Sequence, residues 1–343
     1  VSEWVVEIGT FIVQACIIAA IVGIGILLIA RAKSEGDRDL TLHVEALHDR
    51  RRSRARRIRL ATTPAGIRKK LLKTFQKEDK HRRKQKADIE TPNVWVLTFK
   101  GDIKASATEH FAQEISALIE VAKRDDEVVI CLESPGGLVH AYGLAAAQLD
   151  RLREAGLTTT VCVDKVAASG GYLMASTAHH IKAAPFAVIG SIGVVAQIPN
   201  IHRLLKRHDV DVEMLTAGKY KRTLTMLGEN TEEGREKFLE DLENTHRLFK
   251  HYVGERRPAM DIDALATGEI WYGSEALERN LVDSVGTSEA YLMERIGQAY
   301  VYRVTLEAPK TIGRKFGLAM ASGVENAVLK GVSMLEATGW HRR

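Results

Sequence analysis

VAASGGY, residues 166–172, sets a single hydroxyl, Ser169, among small residues. A serine flanked by alanines and glycines reads either as an exposed nucleophile or as a close-packing corner. The surrounding pattern bears on the choice. TTTVCV at 158–163 predicts a strand, and VAASGGYLMAS then runs from a strand end into a helix. Upstream, VWVLTF (94–99) predicts a strand, 107–123 a periodic helix, and VVICL (128–132) a second strand. SPGG at 134–137 forces a turn, because proline fixes one dihedral and paired glycines reach shapes closed to other residues. A helix follows over 139–154, with Leu144, Ala147, Leu149 and Leu152 supplying much of its apolar face. The strand–turn–helix rhythm repeats twice, and twice the turn is glycine-rich at a strand's carboxyl end. Ligand sites in α/β folds collect there.

Downstream, AVIGSIGVVAQ (187–197) is followed by a helix near 200–208, a VEML strand from 212 and a long charged helix over 231–252. The body closes through TGEIWYGSEALERNLVDSVG (267–286) and a helix around 288–298. One short strand-like piece and an amphipathic stretch at 318–337 complete the chain. The organisation expected is an anchor over 1–30, a basic polar stalk over 31–90, a catalytic body over 91–298 and a tail over 299–343.

The anchor is expected because residues 8–30 carry no formal charge over 23 positions. As a helix this run is about 35 Å long, against roughly 30 Å of bilayer core. Glu3 and Glu7 precede it without any Lys or Arg, which argues against a cleaved signal peptide. Residues 31–86 hold 20 Lys/Arg against 7 Asp/Glu, whereas 87–343 hold 29 against 35. The net charge of +5 therefore belongs to one segment, which argues against a nucleic-acid-binding body. The charge bias places the body in the cytoplasm. Cys16, Cys131 and Cys162 form neither a disulfide framework nor a metal-like spacing, so no metal and no cofactor is expected.

Hydrolysis at a carbonyl needs an activated nucleophile, a base and amide donors for the oxyanion. Ser169 beside Gly170 and Gly171 supplies an uncrowded hydroxyl, and the turn at Gly136–Gly137 offers backbone N–H groups. For the base, His179 and His180 read as ordinary polar residues of a strand, and His140 beside SPGG is the histidine runner-up. A lysine serves if burial brings its pKa toward neutrality. Lys165 sits beside Asp164, which would keep it charged. Lys219 and Lys221 flank Tyr220 in GKYKR (218–222), and only one of two alternating side chains faces inward. The pattern does not choose between them. Ser191 in GSIG is a second hydroxyl able to hold an ammonium.

ESPGG (133–137), VDKVAASGGYLMA (163–175), APFAVIGSIGVVAQ (184–197), TAGKYKRTLTMLGENTEEGREKF (216–238) and GEIWYGSEALERNLVD (268–283) resemble the signal peptide peptidase A family of membrane-bound serine peptidases. The five blocks stand in family order and span most of 90–290. The resemblance implies a crotonase- or ClpP-like α/β superhelix, preceded here by a single transmembrane helix. It implies a membrane-anchored serine endopeptidase acting on short or unfolded peptides. Ser169 is then the nucleophile, Lys221 the general base and Ser191 the residue orienting that lysine. Gly136, Gly137 and Gly170 line the oxyanion site. Glu133 stands where many members carry aspartate, a change that keeps the charge. The resemblance further implies peptide substrates, including signal-peptide fragments, a lipid bilayer partner, and a homo-oligomeric ring or bowl. Lysine burial would then depend on a neighbouring subunit. It also implies the bacterial inner membrane, with a body on the periplasmic side, against the charge bias.

Competing readings lack their residues. A crotonase-type acyl-CoA enzyme needs carboxylates at the reacting carbon and no serine–lysine pair, and a ClpP-like peptidase needs a histidine base. The alternative is a non-catalytic, membrane-associated scaffold or chaperone-like member of the same fold, distinguished by loss of Ser169 or Lys221. Both are present.

Overall fold

The computed structural model describes residues 40–85 and 91–307. The chain divides into two compact units, one over 43–305 and the other drawn from 1–42 and 306–343. In the amino-terminal region, β1 (Thr41–Ala46) leads into α1 (Leu47–Thr62) and α2 (Ala65–Gln85). The body then alternates β2 (Asn93–Lys100), α3 (Thr108–Val121), β3 (Glu127–Glu133), α4 (Val139–Glu154) and β4 (Thr158–Val163). Next come β5 (Val166–Ala168), the short α5 (Gly170–Ala175), β6 (His180–Ala183), β7 (Val188–Gly190) and α6 (His202–Arg207). The long α7 (Glu232–Arg256), α8 (Ile262–Leu265), β8 (Ile270–Tyr272), α9 (Gly273–Glu278), β9 (Ser284–Val285), α10 (Ser288–Ile296) and β10 (Tyr300–Glu307) complete it.

Seven strands form one sheet in the order β1-β10-β2-β3-β4-β6-β9, and β5-β7-β8 form a second. From β10 to β9 the neighbouring strands of the large sheet all pair in parallel. The two sheets meet at a fork. β3 pairs with β4 as far as Cys131 opposite Cys162, and Ser134 then bridges to Ala167 on β5. The chain itself passes from the large sheet to the small one between Val163 and Val166. The fork therefore lies at the carboxyl ends of β3 and β4, where a parallel α/β sheet opens a crevice.

The strands of a sheet covered on both faces read as near-continuous apolar runs, and β3 and β4 do so. Leu97, Phe99, Ile130, Val161 and Ile181 have no accessible surface. Phe99 meets Phe111 of α3 edge-on, with ring centroids 5.2 Å apart. Burial of α4 falls on Tyr142, Ala145, Ala146, Leu149 and Leu152, while Leu144 and Ala147 of the expected face are exposed. The face is rotated because Tyr142 is anchored at both ends, its ring in the core and its hydroxyl bonded to Ser134 and to the Asp102 carbonyl. The VEML segment forms no strand. Residues 208–227 are almost wholly exposed and have no strand partner among the described residues.

Polar groups at two buried positions tie distant segments together. Asp126 accepts from the Asn93 amide, the Trp95 indole and the Lys123 amide, which ties the start of β2 to the turn before β3. Arg257, at the end of α7, donates to both oxygens of Asp283 and to the Asn280 carbonyl. Tyr172 of α5 donates to the Leu281 carbonyl at 2.8 Å, in the same segment. These contacts hold the helix that follows Ser169.

The single-pass reading is corrected. Among the described residues no helix is long and apolar enough to cross a membrane, and residues 8–30, where the anchor was expected, lie outside them. The two long helices of the basic region cannot substitute. α1 carries seven arginines in 16 residues, and a charge at mid-bilayer costs about 2.5–3.5 kcal/mol on insertion scales. A membrane-anchored enzyme, a lipid bilayer partner and an inner-membrane location are accordingly not carried further. The amphipathic stretch at 318–337 also lies outside the described residues. Within 41–85, Arg56 of α1 binds Asp79 of α2 and lies over the Phe75 ring.

Two stability predictions follow from the pairing. Arg257→Met leaves Asp283 without its partner and is expected to cost about 3–5 kcal/mol in denaturant unfolding. Burial lowers the His179 and His180 pKa values from 6.5, and the Asn93 and Arg257 bonds outweigh burial to lower Asp126 and Asp283 from 3.8. The unfolded chain binds more protons in both ranges. Melting temperature is therefore expected to fall below about pH 6.5 and again below about pH 4, and a flat profile from pH 7 to pH 3 would contradict it.

Candidate active site

Ser169 occupies the junction between β5 and α5 with φ 51° and ψ −122°. A positive φ in a non-glycine residue of this kind costs on the order of 1–3 kcal/mol and persists only where surroundings enforce it. Here they do. Its amide donates to the Gly190 carbonyl at 2.8 Å, and its carbonyl accepts from Leu173. The side chain does not cap α5 and makes no hydrogen bond among the described residues. The junction thus spends backbone energy to present an uncommitted, half-buried hydroxyl.

Ser191 is its structural counterpart. β5 and β7 run parallel with Ala168 opposite Gly190, so Ser169 and Ser191 are the next residues off neighbouring strand ends. Ser191 also has a positive φ, 53°, and its amide donates to the Glu269 carbonyl.

The SPGG turn closes over this point. A Cβ on Gly136, whose φ is +88°, would stand 2.7 Å from Ser169 Cβ and 2.8 Å from the Gly170 nitrogen. Only glycine permits this approach. The Gly136 amide donates to Ser134 Oγ at 3.1 Å. The Gly137 and Gly170 amides have no acceptor among the described residues; Gly170 directly follows the serine, and Gly137 follows the glycine packed against it.

The lysines separate clearly. Lys219 is paired with Glu233 at 2.7 Å and lies over the Tyr220 ring, and the Glu233 bond pushes its pKa up. Lys165 is held by Glu133 at 2.9 Å, not by the neighbouring Asp164, which instead accepts from the Ser288 amide and hydroxyl. Lys221 is exposed, and its side chain makes no hydrogen bond or ion pair among the described residues. The chain's fold brings Ser169, Ser191, Gly136, Gly137 and Gly170 to one fork and leaves Lys221 unbonded on the exposed 208–227 segment. His140 is exposed and unbonded as well. His179 is consumed structurally, its Nδ1 accepting from the Thr159 amide.

Cys131 and Cys162 sit opposite one another on β3 and β4, and burial pushes the Cys131 thiol up to about 11 and that of Cys162 higher still. Neither is a thiolate nucleophile near neutral pH. Among the described residues no group of three His, Cys, Asp or Glu side chains is placed to hold a metal ion. The sequence reading missed two residues. Ser134 falls in the SPGG turn and Tyr142 within the 139–154 helix with no local signal to mark either, yet their hydroxyls lie 2.6 Å apart under the glycine turn.

Comparison with known proteins bears on the family of the chain. The model described as peptidase family S49 matches residues 151–299, and that for the family's N-terminal part matches 3–149. A probable protease SohB of Haemophilus influenzae is 57% identical over 224 residues, covering 65% of this chain and 64% of that protein. The chain thus spans just under two thirds of that relative's length. A probable protease SohB of Buchnera aphidicola subsp. Schlechtendalia chinensis is 53% identical over 228 residues, covering 66% and 73%. Among solved structures, the catalytic domain of the ClpP protease from Plasmodium falciparum is 13% identical over 57% of this chain and 86% of that one, with a TM-score of 0.36.

Gly136→Ala tests the closed turn. The added methyl must displace Ser169 or the Gly170 amide, and a displacement near 1 Å costs about 100-fold in rate. Peptide hydrolysis is expected to fall by that order while the far-ultraviolet circular dichroism spectrum is unchanged.

Proposed function

The chain belongs to peptidase family S49, whose members are serine endopeptidases with Ser–Lys dyad chemistry, and on that premise we propose that it hydrolyses peptide bonds with Ser169 as nucleophile and Lys221 as general base. The observation that carries the reading is the strained Ser169 junction, which holds a free hydroxyl beside the uncommitted Gly170 amide and the closely packed SPGG turn.

In this mechanism neutral Lys221 takes the proton from Ser169 Oγ as the oxygen attacks the peptide carbonyl. The negative charge that forms on the carbonyl oxygen is held by backbone N–H groups at the SPGG turn and at Gly170. Fixed amide dipoles stabilise such an oxygen without reorganising during the reaction. The protonated lysine then passes its proton to the leaving amine, and the bond to nitrogen breaks. Water attacks the acyl-serine with Lys221 again as base, releasing the acid and restoring the hydroxyl. Ser191, beside Ser169, accepts from the ammonium and orients it.

Lys221 is favoured over its neighbours because Lys219 and Lys165 are each bound to a carboxylate, which stabilises the charged form. A lysine in water deprotonates near pH 10.4, so the base must be shielded from solvent when it acts.

The test is cleavage of unstructured peptides by the full chain between pH 6 and pH 10. Ser169→Ala and Lys221→Ala are expected to lose at least about 1,000-fold in kcat, while Lys219→Ala and Lys165→Ala retain activity within a few fold. The rate should rise with pH, since the base works only when deprotonated. An active Ser169→Ala enzyme would refute the nucleophile assignment, and an inactive Lys219→Ala beside an active Lys221→Ala would transfer the base role to Lys219.

A further inference from the structure

The hydroxyls beneath the glycine turn form a chain whose direction is fixed by proton counting. Tyr142 Oη donates to the Asp102 carbonyl at 2.7 Å, and a phenol has only one proton. The 2.6 Å contact between Ser134 Oγ and Tyr142 Oη must therefore carry the serine's proton. Ser134 Oγ, having donated, is free to accept, and it accepts from the Gly136 amide at 3.1 Å. The sequence of bonds runs one way, from Gly136 N–H through Ser134 and Tyr142 to the Asp102 carbonyl. Successive hydrogen bonds of one polarity strengthen one another in a buried setting. Ser134 is fully buried, Tyr142 likewise, and burial pushes the Tyr142 phenol's pKa up, so it stays a donor.

The backbone of Ser134 is fixed from the other side. Its amide donates to the Val166 carbonyl at 2.8 Å, and its carbonyl accepts from Ala168 at 3.0 Å. One residue thus joins the end of β3, the strand entering Ser169 and the turn covering Ser169. The Tyr142 ring packs where a Cβ of Gly170 would stand, 2.4 Å from Tyr142 Cγ. The same tyrosine therefore touches both sides of the nucleophile: the turn through its hydroxyl and the Gly170 backbone through its ring.

We propose that Ser134 and Tyr142 are positioning residues for the oxyanion site, which commit the Gly136 N–H inward and thereby leave the Gly137 and Gly170 N–H groups as the two donors to the developing oxyanion. Gly136 then serves through its missing Cβ, not through its amide. The proposal rests on Ser169 being the nucleophile and narrows the donor set from three glycines to two. Neither hydroxyl touches substrate. Their effect is to hold a peptide plane in one orientation, and a donor misaimed by loss of that support is worth far less than one aimed at the oxyanion.

The experiment uses the full chain and the variants Ser134→Ala, Tyr142→Phe and the double variant. With an unstructured peptide substrate, each single change is expected to lower kcat by about 10- to 100-fold, a fraction of the 100- to 1,000-fold loss of a whole oxyanion donor. KM should stay within a factor of about two, and the pH dependence should not move, because the base is untouched. The double variant should be no worse than the poorer single one, since both break one chain of bonds. Affinity for a peptide aldehyde, which forms a tetrahedral adduct with the serine, should weaken in step with kcat/KM.

Hydrogen exchange supplies a readout independent of activity. The Gly136 amide should be protected in the parent protein and exchange at least about tenfold faster in Tyr142→Phe, whereas Gly137 exchanges fast in both. Tyr142→Phe keeps the ring against Gly170 and removes only an oxygen, so it carries the test if Ser134→Ala fails to fold. A Tyr142→Phe enzyme with unchanged kcat, multiplicative losses in the double variant, or a Gly136 amide exchanging as fast as Gly137 would each overturn the relay. An active Ser169→Ala enzyme would instead overturn the nucleophile assignment on which it rests.

Discussion

The site depends on the backbone of Ser169, held at φ 51° where the chain has just left one sheet for another. A serine gains nothing locally from that conformation, so the surroundings must impose it. They do so from three directions: the Gly190 carbonyl takes its amide, β5 is bridged to Ser134, and α5 begins at the next residue. The fork between the sheets is what brings these together. In a single continuous sheet β3 would keep pairing with β4 beyond Cys131 and Cys162, and no gap would open at the strand ends.

The framework around the junction is stiff where the chemistry needs it and loose elsewhere. Tyr172 and Arg257 lock the helix after Ser169 to the 280–283 segment through buried bonds. Tyr142 and Ser134 lock the turn above it. The segment carrying Lys221, by contrast, is exposed from 208 to 227 and is tied back by a few contacts, such as Asn200 to the Thr225 and Gly228 carbonyls. Ser169 and the glycine turn beside it are thus held by the core of this chain. Lys221 lies on a largely exposed segment outside that core.

Much of this was legible from local pattern. The helix over 139–154 and the strand over 158–163 have the bounds that periodicity indicated, because apolar spacing and the flanking turns act over a few residues. Which face of that helix is buried was not legible. Leu144 and Ala147 are as apolar as their neighbours, and only the anchoring of Tyr142 decides that they face solvent. The VEML segment has a strand's composition but no edge to pair with, and a strand without a partner leaves its backbone groups to water. The choice between Lys219 and Lys221 was likewise undecidable from alternation. Nor does alternation show that Glu233, a residue of another element, binds Lys219.

The amino-acid sequence by itself determined the order of strands, turns and helices over 94–175, the glycine-rich turns at the strand ends, and the short set of hydroxyls and amines able to react. These follow from sterics and periodicity within a few residues. Only the tertiary structure decided which groups are committed and which are free. The Tyr142 hydroxyl is spent on a carbonyl 40 residues away, the Gly136 amide on Ser134, and Lys219 on Glu233, while the Ser169 hydroxyl and the Gly137 and Gly170 amides are left uncommitted. A hydrogen bond or ion pair depends on a partner's position within about an ångström, and that position is set by the packing of segments far apart in the chain.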